Sequence, residues 1–269
     1  MPEAAGRRTL DEVTSLLDKG PPFTVHNEPG GSPFLLICEH ASRHIPAHLN
    51  GLGLSAATQR SHIAWDIGAA GLAMKLADRL DAALVSQTYS RLLYDCNRPP
   101  EAASAMPEQS ELTAIPGNCG LTPAARQQRI DEIYAPFHRR IEELVAARHG
   151  ANRATIIVTI HSFTGMFKGQ RRALDLGILH DNDALLADHI LAEAARQTGY
   201  VTKRNEPYGA DDGVMHTLQR QALRRGLHNV MLELRNDLIA EDGGQMIWAE
   251  RLANLLDASR KEIDLPHAG

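Results

Sequence analysis

T-I-I-V-T-I-H-S-F-T-G, residues 155–165, predicts a buried strand that runs directly into a histidine. The residues before His161 are all apolar or β-branched, a composition typical of a strand inside a sheet. A histidine in this position either forms local hydrogen bonds or points into a site. Other strands that end in polar side chains favour the second possibility.

Two further apolar segments lead into polar side chains in the same way. Residues 34–38 are followed by Glu39 and His40, and residues 229–232 are followed by Glu233. Ligands of open α/β sheets bind beyond the carboxyl ends of the strands, and burying unpaired polar groups is unfavourable. Three strands that end in this way therefore indicate one site at the carboxyl edge of a sheet.

Segments with helical periodicity lie between the predicted strands. They include residues 67–80, residues 123–148 with a bend near Pro136, and residues 243–263. Residues 99–122 are rich in Pro, Gly, Ser and Ala and predict a long loop. Strands that alternate with helices imply an α/β fold, a three-layer α/β/α sandwich with a mixed, mostly parallel sheet.

Length and composition limit the class of protein. No break in composition divides the 269 residues, so we predict a single domain over residues 1–269 with a core at about 33–263. The 28 basic and 33 acidic residues give a formal net charge of −5, which predicts no nucleic-acid partner, and no apolar run is long enough to span a membrane. The three cysteines lack a CxxC spacing and no signal-peptide pattern is present. We expect a cytoplasmic monomer or small homo-oligomer with a small-molecule partner.

Two imidazoles and one carboxylate with an open fourth position make a catalytic zinc site. The predicted strand ends supply His40 and His161, and the third ligand is either Asp66 or Glu39. A further carboxylate that does not bind the metal can move a proton during hydrolysis, and Glu233 is the best candidate for it. These groups predict a metal-dependent hydrolase with one divalent ion, taken as Zn²⁺.

The candidate substrate-binding residues are mostly cationic. The guanidinium groups of Arg91, Arg98 and Arg235 can clamp a substrate carboxylate through paired hydrogen bonds. His216 follows a loop with two glycines and is a candidate hydrogen-bond donor in the site. A substrate with a carboxylate is therefore expected.

Several short motifs occur in an order that resembles a known family. They are E-H-A-S-R-H-I-P, H-I-A-W-D-I-G-A, S-R-L-L-Y-D-C-N-R-P, T-I-H-S-F-T-G, N-E-P-Y-G-A-D-D-G-V-M-H-T and L-E-L-R-N-D, and they extend over about residues 34–260. The ordered set resembles the N-formylglutamate amidohydrolase family, which is similar to zinc carboxypeptidases and aspartoacylases. The resemblance implies a zinc-carboxypeptidase-like (phosphorylase/hydrolase-like) fold and a hydrolase that acts on linear amide C–N bonds.

The resemblance also implies roles for individual residues. L-E-L-R-N-D is similar to the carboxypeptidase segment with the general-base glutamate, which falls on Glu233. His40 and His161 fall on the first and last histidine ligands of those enzymes. D-C-N-R is similar to the aspartoacylase D-x-N-R, whose substrate-binding residues fall on Asn97 and Arg98.

The second metal ligand departs from the pattern of the related enzymes. Carboxypeptidases have an HxxE segment, but the third residue after His40 is Arg43, which cannot bind a metal. The formylglutamate enzymes that the chain resembles have Trp-His where this chain has Trp65-Asp66. We take Asp66 as the ligand because a carboxylate can replace an imidazole at zinc.

The combined prediction is hydrolysis of the N-acyl amide of an N-acylated amino acid. N-formylglutamate is the example that the resemblance implies, and it gives formate and glutamate, as in histidine degradation. The altered ligand leaves two alternatives open. One is a metal-free, non-catalytic homologue that binds ligands, and the other is a serine-dependent amidase with Ser42 or Ser162, although neither serine lies in a G-x-S-x-G elbow.

Overall fold

The computed structural model of the chain describes residues 15–263, in which strands alternate with helices. The strands are β1 (Phe23–His26), β2 (Phe34–Cys38), β3 (Ala83–Gln87), β4 (Gln109–Ser110), β5 (Thr113–Ala114), β6 (Ile156–Phe163), β7 (Met166–Phe167), β8 (Gln170–Arg171), β9 (Leu176–Leu179), β10 (Thr202–Arg204) and β11 (Asn229–Arg235). The helices are α1 (Ala69–Leu80), α2 (Pro123–Arg129), α3 (Ala135–Gly150), α4 (Leu185–Ala194), α5 (His216–Gln221) and α6 (Asp242–Arg260). None of the helices in this part of the chain has both the length and the apolar character needed to cross a membrane.

Seven strands form one mixed sheet in the order β1-β3-β2-β6-β11-β9-β10. The central strands β3, β2, β6 and β11 are parallel, whereas β1 and β9 run antiparallel to their neighbours β3 and β11. The predicted mixed, mostly parallel sheet is confirmed, and the carboxyl ends of its central strands meet at one edge. The prediction of a single domain over residues 1–269 includes residues 1–14 and 264–269, which lie outside the described residues, and it stays a prediction.

Side chains alternate between the two faces of the sheet and build a core on each. On β2, Phe34 and Leu36 pack in the cluster that contains α1, α4 and α6. Leu35 and Ile37 pack in the cluster on the other face, which contains α3 and α5. These side chains are fully buried, and each such burial stabilises the fold by ~1.5–3 kcal/mol. Helices on both faces give the three layers predicted from the sequence.

The segment predicted as one bent helix is two helices joined by a wider turn. α2 ends at Arg129, a π-helical turn follows at Ile130–Tyr134, and α3 begins at Ala135. Pro136 is the second residue of α3 and has no N–H to donate to the carbonyl four residues earlier, so the regular helix is interrupted before it. The predicted loop at residues 99–122 contains the hairpin of β4 and β5.

Gly68 fixes the path of the chain between Asp66 and α1. Its φ of +82° lies in the left-handed region, and a Cβ there would clash with the backbone carbonyl of Ile239. We expect Gly68→Ala to lower the free energy of unfolding by about 2–4 kcal/mol, because backbone strain and overpacking add. Gly120→Ala is the matched control: Gly120 has a φ of +65° but no described atom within 4 Å of a Cβ, so a loss of about 1 kcal/mol is expected. Equal losses in urea unfolding of the two variants would contradict the clash.

Candidate active site

A cleft of about 420 Å³ lies at the carboxyl edge of the central strands. Its lining includes His40 just after β2, His161 near the end of β6 and Glu233 near the end of β11. Asp66, in the turn before α1, also lines the cleft. The structure therefore brings together the polar residues of the three predicted strand ends.

His40, Asp66 and His161 direct three donor atoms at one another. His40 Nδ1 lies 3.2 Å from Asp66 Oδ2, His161 Nδ1 lies 2.9 Å from the same oxygen, and the two Nδ1 atoms are 3.2 Å apart. In a tetrahedral zinc site with bonds of ~2.0–2.1 Å, the ligand atoms are roughly 3.3 Å from one another. All three side chains are buried, and their donor atoms can hold one divalent metal ion.

A carboxylate contacts the outer nitrogen of each histidine. His40 Nε2 lies 2.8 Å from Asp95 Oδ1, and His161 Nε2 lies 3.1 Å from Glu39 Oε2. The second contact is an ion-pair distance without hydrogen-bond geometry, since neither atom has a hydrogen-bond partner among the described residues. A carboxylate at Nε2 keeps the proton on that nitrogen and leaves the Nδ1 lone pair for a metal.

Asp66 is the carboxylate that faces both Nδ1 atoms, whereas Glu39 lies on the outer side of the His161 ring. Asp66 Oδ2 also accepts a hydrogen bond from the Ser162 backbone N–H at 3.1 Å, and Oδ1 lies 3.4 Å from an Arg91 nitrogen. Burial raises the pKa of Asp66, but the charge and hydrogen bonds of the two histidines outweigh burial and lower the pKa below its ordinary value. The ionised form that a metal ligand requires is therefore favoured.

Glu233 lies on the strand next to His161. The two residues pair in the register of β6 and β11, because β6 continues to Phe163 and includes the histidine that was predicted to follow it. Burial raises the pKa of Glu233 to about 7 against the opposing charge of His161, and the negative charge of Asp66 adds to the increase. Glu233 Oε2 has no hydrogen-bond partner among residues 15–263, so it is available to a ligand.

The predicted substrate-binding residues that line the cleft are Arg91, Asn97 and Arg98. Arg91 bridges two carboxylates, at 2.7 Å from Asp95 Oδ2 and 3.4 Å from Asp66 Oδ1. Arg98 donates to the backbone carbonyl of Gly213 and forms no ion pair with the carboxylates of the described residues. Among the described carboxylates Arg98 therefore has no direct ion-pair partner, whereas Arg91 has two.

Asn97 ties two segments of the cleft wall together. Its Nδ2 donates to the Val214 carbonyl at 2.6 Å, and its Oδ1 accepts from the Thr217 backbone N–H at 3.0 Å. Both ends of the amide therefore hold the backbone that leads into α5. The side chain positions the wall that carries the neighbouring Arg98.

The remaining predicted substrate-binding residues, Arg235 and His216, do not line the cleft. Arg235 forms ion pairs of 2.7 Å with Asp175 and with Asp237. His216 Nε2 lies 2.9 Å from the Tyr134 hydroxyl, and burial lowers the pKa of His216 to about 4. Because both side chains have protein partners away from the cleft, we leave them out of the proposed substrate site.

Aromatic residues that were not among the predicted site residues complete the cleft. Phe163, Phe167 and Tyr208 all line it. Burial raises the pKa of Tyr208, the charge of Glu233 raises it further, and a hydrogen bond with Arg172 opposes both. Tyr208 lies in the N-E-P-Y-G-A-D-D-G motif, so that motif was the signal from which it could have been identified.

The chain is similar to solved structures over most of its length. No curated protein matches the chain. Among solved structures, gene product Atu2144 from Agrobacterium tumefaciens is 48% identical with a TM-score of 0.89, and the match covers 90% of this chain and 96% of that chain. The N-formylglutamate amidohydrolase from Ralstonia eutropha JMP134 is 22% identical with a TM-score of 0.63, covering 90% of this chain and 99% of that chain, and this likeness supports the fold.

The sequence pattern of one family matches most of the chain. The match is to N-formylglutamate amidohydrolase and extends over residues 32–240 of the 269. It confirms the resemblance predicted from the ordered motifs. The chain therefore belongs to the N-formylglutamate amidohydrolase family and is an amide-cleaving hydrolase.

Proposed function

We propose that this enzyme uses a metal ion to hydrolyse the amide of an N-acyl amino acid, with N-formylglutamate as substrate and formate and glutamate as products. The observation that carries the proposal is the buried group of His40, Asp66 and His161 beside Glu233 in one cleft. The name of the family supplies the substrate. We place the reaction in the cytoplasm and in histidine degradation, and the free thiols of the three cysteines support a reducing compartment.

The donor set suits zinc. His40 and His161 would each bind through Nδ1 and Asp66 through Oδ2, which gives the two nitrogens and one oxygen found in many catalytic zinc sites. Zinc bound there supplies Lewis acidity, which polarises the acyl carbonyl and lowers the pKa of water. The hydrogen bond of Asp95 to His40 and the negative charge of Glu39 beside His161 favour a proton on each Nε2, which leaves Nδ1 unprotonated.

Glu233 moves the proton. Its carboxylate accepts a proton from the attacking water while the water oxygen bonds to the acyl carbon. The carboxyl then gives this proton to the amide nitrogen as the C–N bond breaks, so the acid and the free amino group leave and Glu233 regains its charge. A pKa raised by burial to about 7 suits a group that takes and returns a proton near neutral pH.

Arg98 holds a carboxylate of the substrate. Its charge has no carboxylate partner among the described residues, and a guanidinium bound to a carboxylate forms strong, charge-assisted hydrogen bonds. Arg91 contributes chiefly by holding Asp66 and Asp95, since its guanidinium lies between them. The substrate carboxylate therefore docks on the Arg98 side of the cleft, and the amide points toward Glu233.

A serine-dependent mechanism has less support. Ser162 Oγ donates to the Ile67 carbonyl at 2.9 Å, and Ser42 Oγ accepts from the His44 backbone N–H at 3.1 Å. Neither hydroxyl contacts an imidazole nitrogen within residues 15–263, so no base is in place to activate it.

Chelation and serine substitution separate the candidates. We expect the purified protein to contain about one zinc ion per chain and to release glutamate from N-formylglutamate. Chelation should lower this activity at least ~100-fold, and added zinc should restore it, because the Lewis acid is lost and regained. Ser42→Ala and Ser162→Ala should keep the activity. Activity that survives chelation and disappears in a serine variant would establish the serine amidase instead, and binding of N-formylglutamate without hydrolysis by zinc-loaded protein would establish the non-catalytic homologue.

A further inference from the structure

Arg172 lies among three aromatic rings of the cleft wall. Its guanidinium carbon is 4.4 Å from the centre of the Phe167 ring, 5.4 Å from that of Tyr208 and 5.7 Å from that of Phe163. All three rings line the cleft that contains the metal-ligand group. We call these three rings the Arg172 cage, and they hold a cation at the edge of the cleft.

No carboxylate among the described residues pairs with Arg172. Arg172 takes part in none of the ion pairs among residues 15–263, and the one backbone acceptor of its guanidinium is the Thr164 carbonyl at 3.4 Å. Arg235, at the end of the nearby β11, contrasts with it, because its guanidinium is held by two carboxylates. Aromatic faces stabilise a guanidinium without occupying its N–H donors, because these donors lie in the plane of the guanidinium. Arg172 therefore keeps donors for an external anion.

Tyr208 connects the cage to the reacting end of the cleft. Tyr208 lines the same cleft as Glu233 and Arg91, and its ring centre is 5.4 Å from the guanidinium carbon of Arg172. Phe163 provides a second connection, since it lies on β6 two residues after His161. A ligand whose amide lies at Glu233 can therefore extend along these rings toward Arg172.

We propose that Arg172 binds the side-chain carboxylate of the substrate and thereby selects N-acyl amino acids with an acidic side chain. This inference rests on the proposed function and adds to it the residue that recognises the side chain of the substrate. Arg98 lines the cleft, and Arg172 contacts three rings that line it. Neither cation forms an ion pair with a described carboxylate, and a substrate of this class carries two carboxylates. One cation then serves the α-carboxylate and the other the side chain.

The test compares N-formylglutamate with N-formylglutamine, which has nearly the same shape and a neutral side chain. We expect the wild-type enzyme to prefer N-formylglutamate in kcat/KM by roughly 10- to 100-fold, the worth of a hydrogen bond to a charged group. Arg172→Met keeps the apolar stem against the rings and should abolish this preference, while N-formylglutamine is hydrolysed as before. Arg171→Met is the matched control, because Arg171 is the exposed neighbour on β8 and should keep the preference.

A binding measurement makes the result independent of turnover. Calorimetry should show that Glu233→Gln protein binds N-formylglutamate more tightly than N-formylglutamine. The Glu233→Gln, Arg172→Met double variant should bind the two compounds equally. Preferential binding without hydrolysis by the wild-type enzyme would remove the proposed function and leave the role of Arg172 intact. The role of Arg172 is overturned if the wild-type protein shows no preference in either measurement, if Arg172→Met weakens both compounds equally, or if Arg171→Met removes the preference as well.

Discussion

Glu233→Gln should lower kcat for N-formylglutamate by roughly 10²–10⁴-fold in a protein that remains folded and retains its metal. Glutamine preserves the shape of the side chain but cannot take the proton of the attacking water or return it to the amide nitrogen. Glu233 is not one of the three residues whose donor atoms face one another, so the metal content should be unchanged. Steady-state kinetics measures kcat, and elemental analysis of the same preparation measures the metal content.

Asp237→Asn is the matched control for Glu233→Gln. Asp237 is an acidic residue shortly after the same strand, but its carboxylate pairs with Arg235 and does not line the cleft. This variant should keep its activity. A Glu233→Gln enzyme with kcat within a few-fold of wild type would remove Glu233 from the mechanism.

The stability of Glu233→Gln provides a readout that does not depend on activity. Burial raises the pKa of Glu233 to about 7 from the ordinary 4.5, so the folded state resists ionisation that the unfolded state allows. The resulting loss of stability is small below pH 5 and grows as the pH rises through about 7. Metal-free Glu233→Gln should therefore have a higher Tm than metal-free wild type at pH 8, and nearly the same Tm at pH 5.

His40→Ala should abolish metal binding and activity with a small loss of stability. It removes one of the three donors, and the carboxylates around it keep another partner, since Arg91 contacts both Asp95 and Asp66. We expect less than about a tenth of the wild-type metal content, because an open two-ligand site binds zinc far more weakly than the three protein ligands typical of catalytic sites. Elemental analysis and thermal unfolding of the metal-free proteins are the measurements.

His161→Ala should lose the metal in the same way but should also destabilise the metal-free fold. It leaves the fully buried Glu39 without its ion-pair partner, and removing one member of a buried pair costs about 3–5 kcal/mol. His44→Ala, which changes a histidine that pairs with Asp18 outside the group, is the control for both variants and should retain the metal. Wild-type metal content in His40→Ala and His161→Ala would mean that the ion binds elsewhere.

The sequence was sufficient to predict the sheet and the edge of the sheet at which the candidate residues meet, because both follow from local pattern. Apolar strands that lead into His40 and Glu233 are visible in the chain, and parallel strands have their carboxyl ends at the same edge. In the observed register of β6 and β11, His161 lies opposite Glu233, so their side chains point to the same face of the sheet. The register itself depends on tertiary packing.

Some residues have contacts that differ from their predicted roles. These contacts join segments that are distant in the sequence. Arg235 was predicted to bind a substrate carboxylate. Its observed partner Asp175 precedes a different strand, β9, and only the folded sheet brings the two together. His216 faces Tyr134, which lies in the π-helical turn that the sequence did not predict. Arg172 was missed because a cation directly after a short hairpin has no periodic pattern, and the rings around it come from separate segments.

The amide of Asn97 makes the two segments that it joins move as a unit. The backbone at Val214 and Thr217 cannot shift away from Arg98 without breaking both of the hydrogen bonds that the amide forms. This side of the cleft therefore sets an upper limit on the length of a bound molecule. A compound that is longer between its amide and its carboxylate cannot gain room by spreading these segments. That length should limit turnover even where the charge of the compound is suitable.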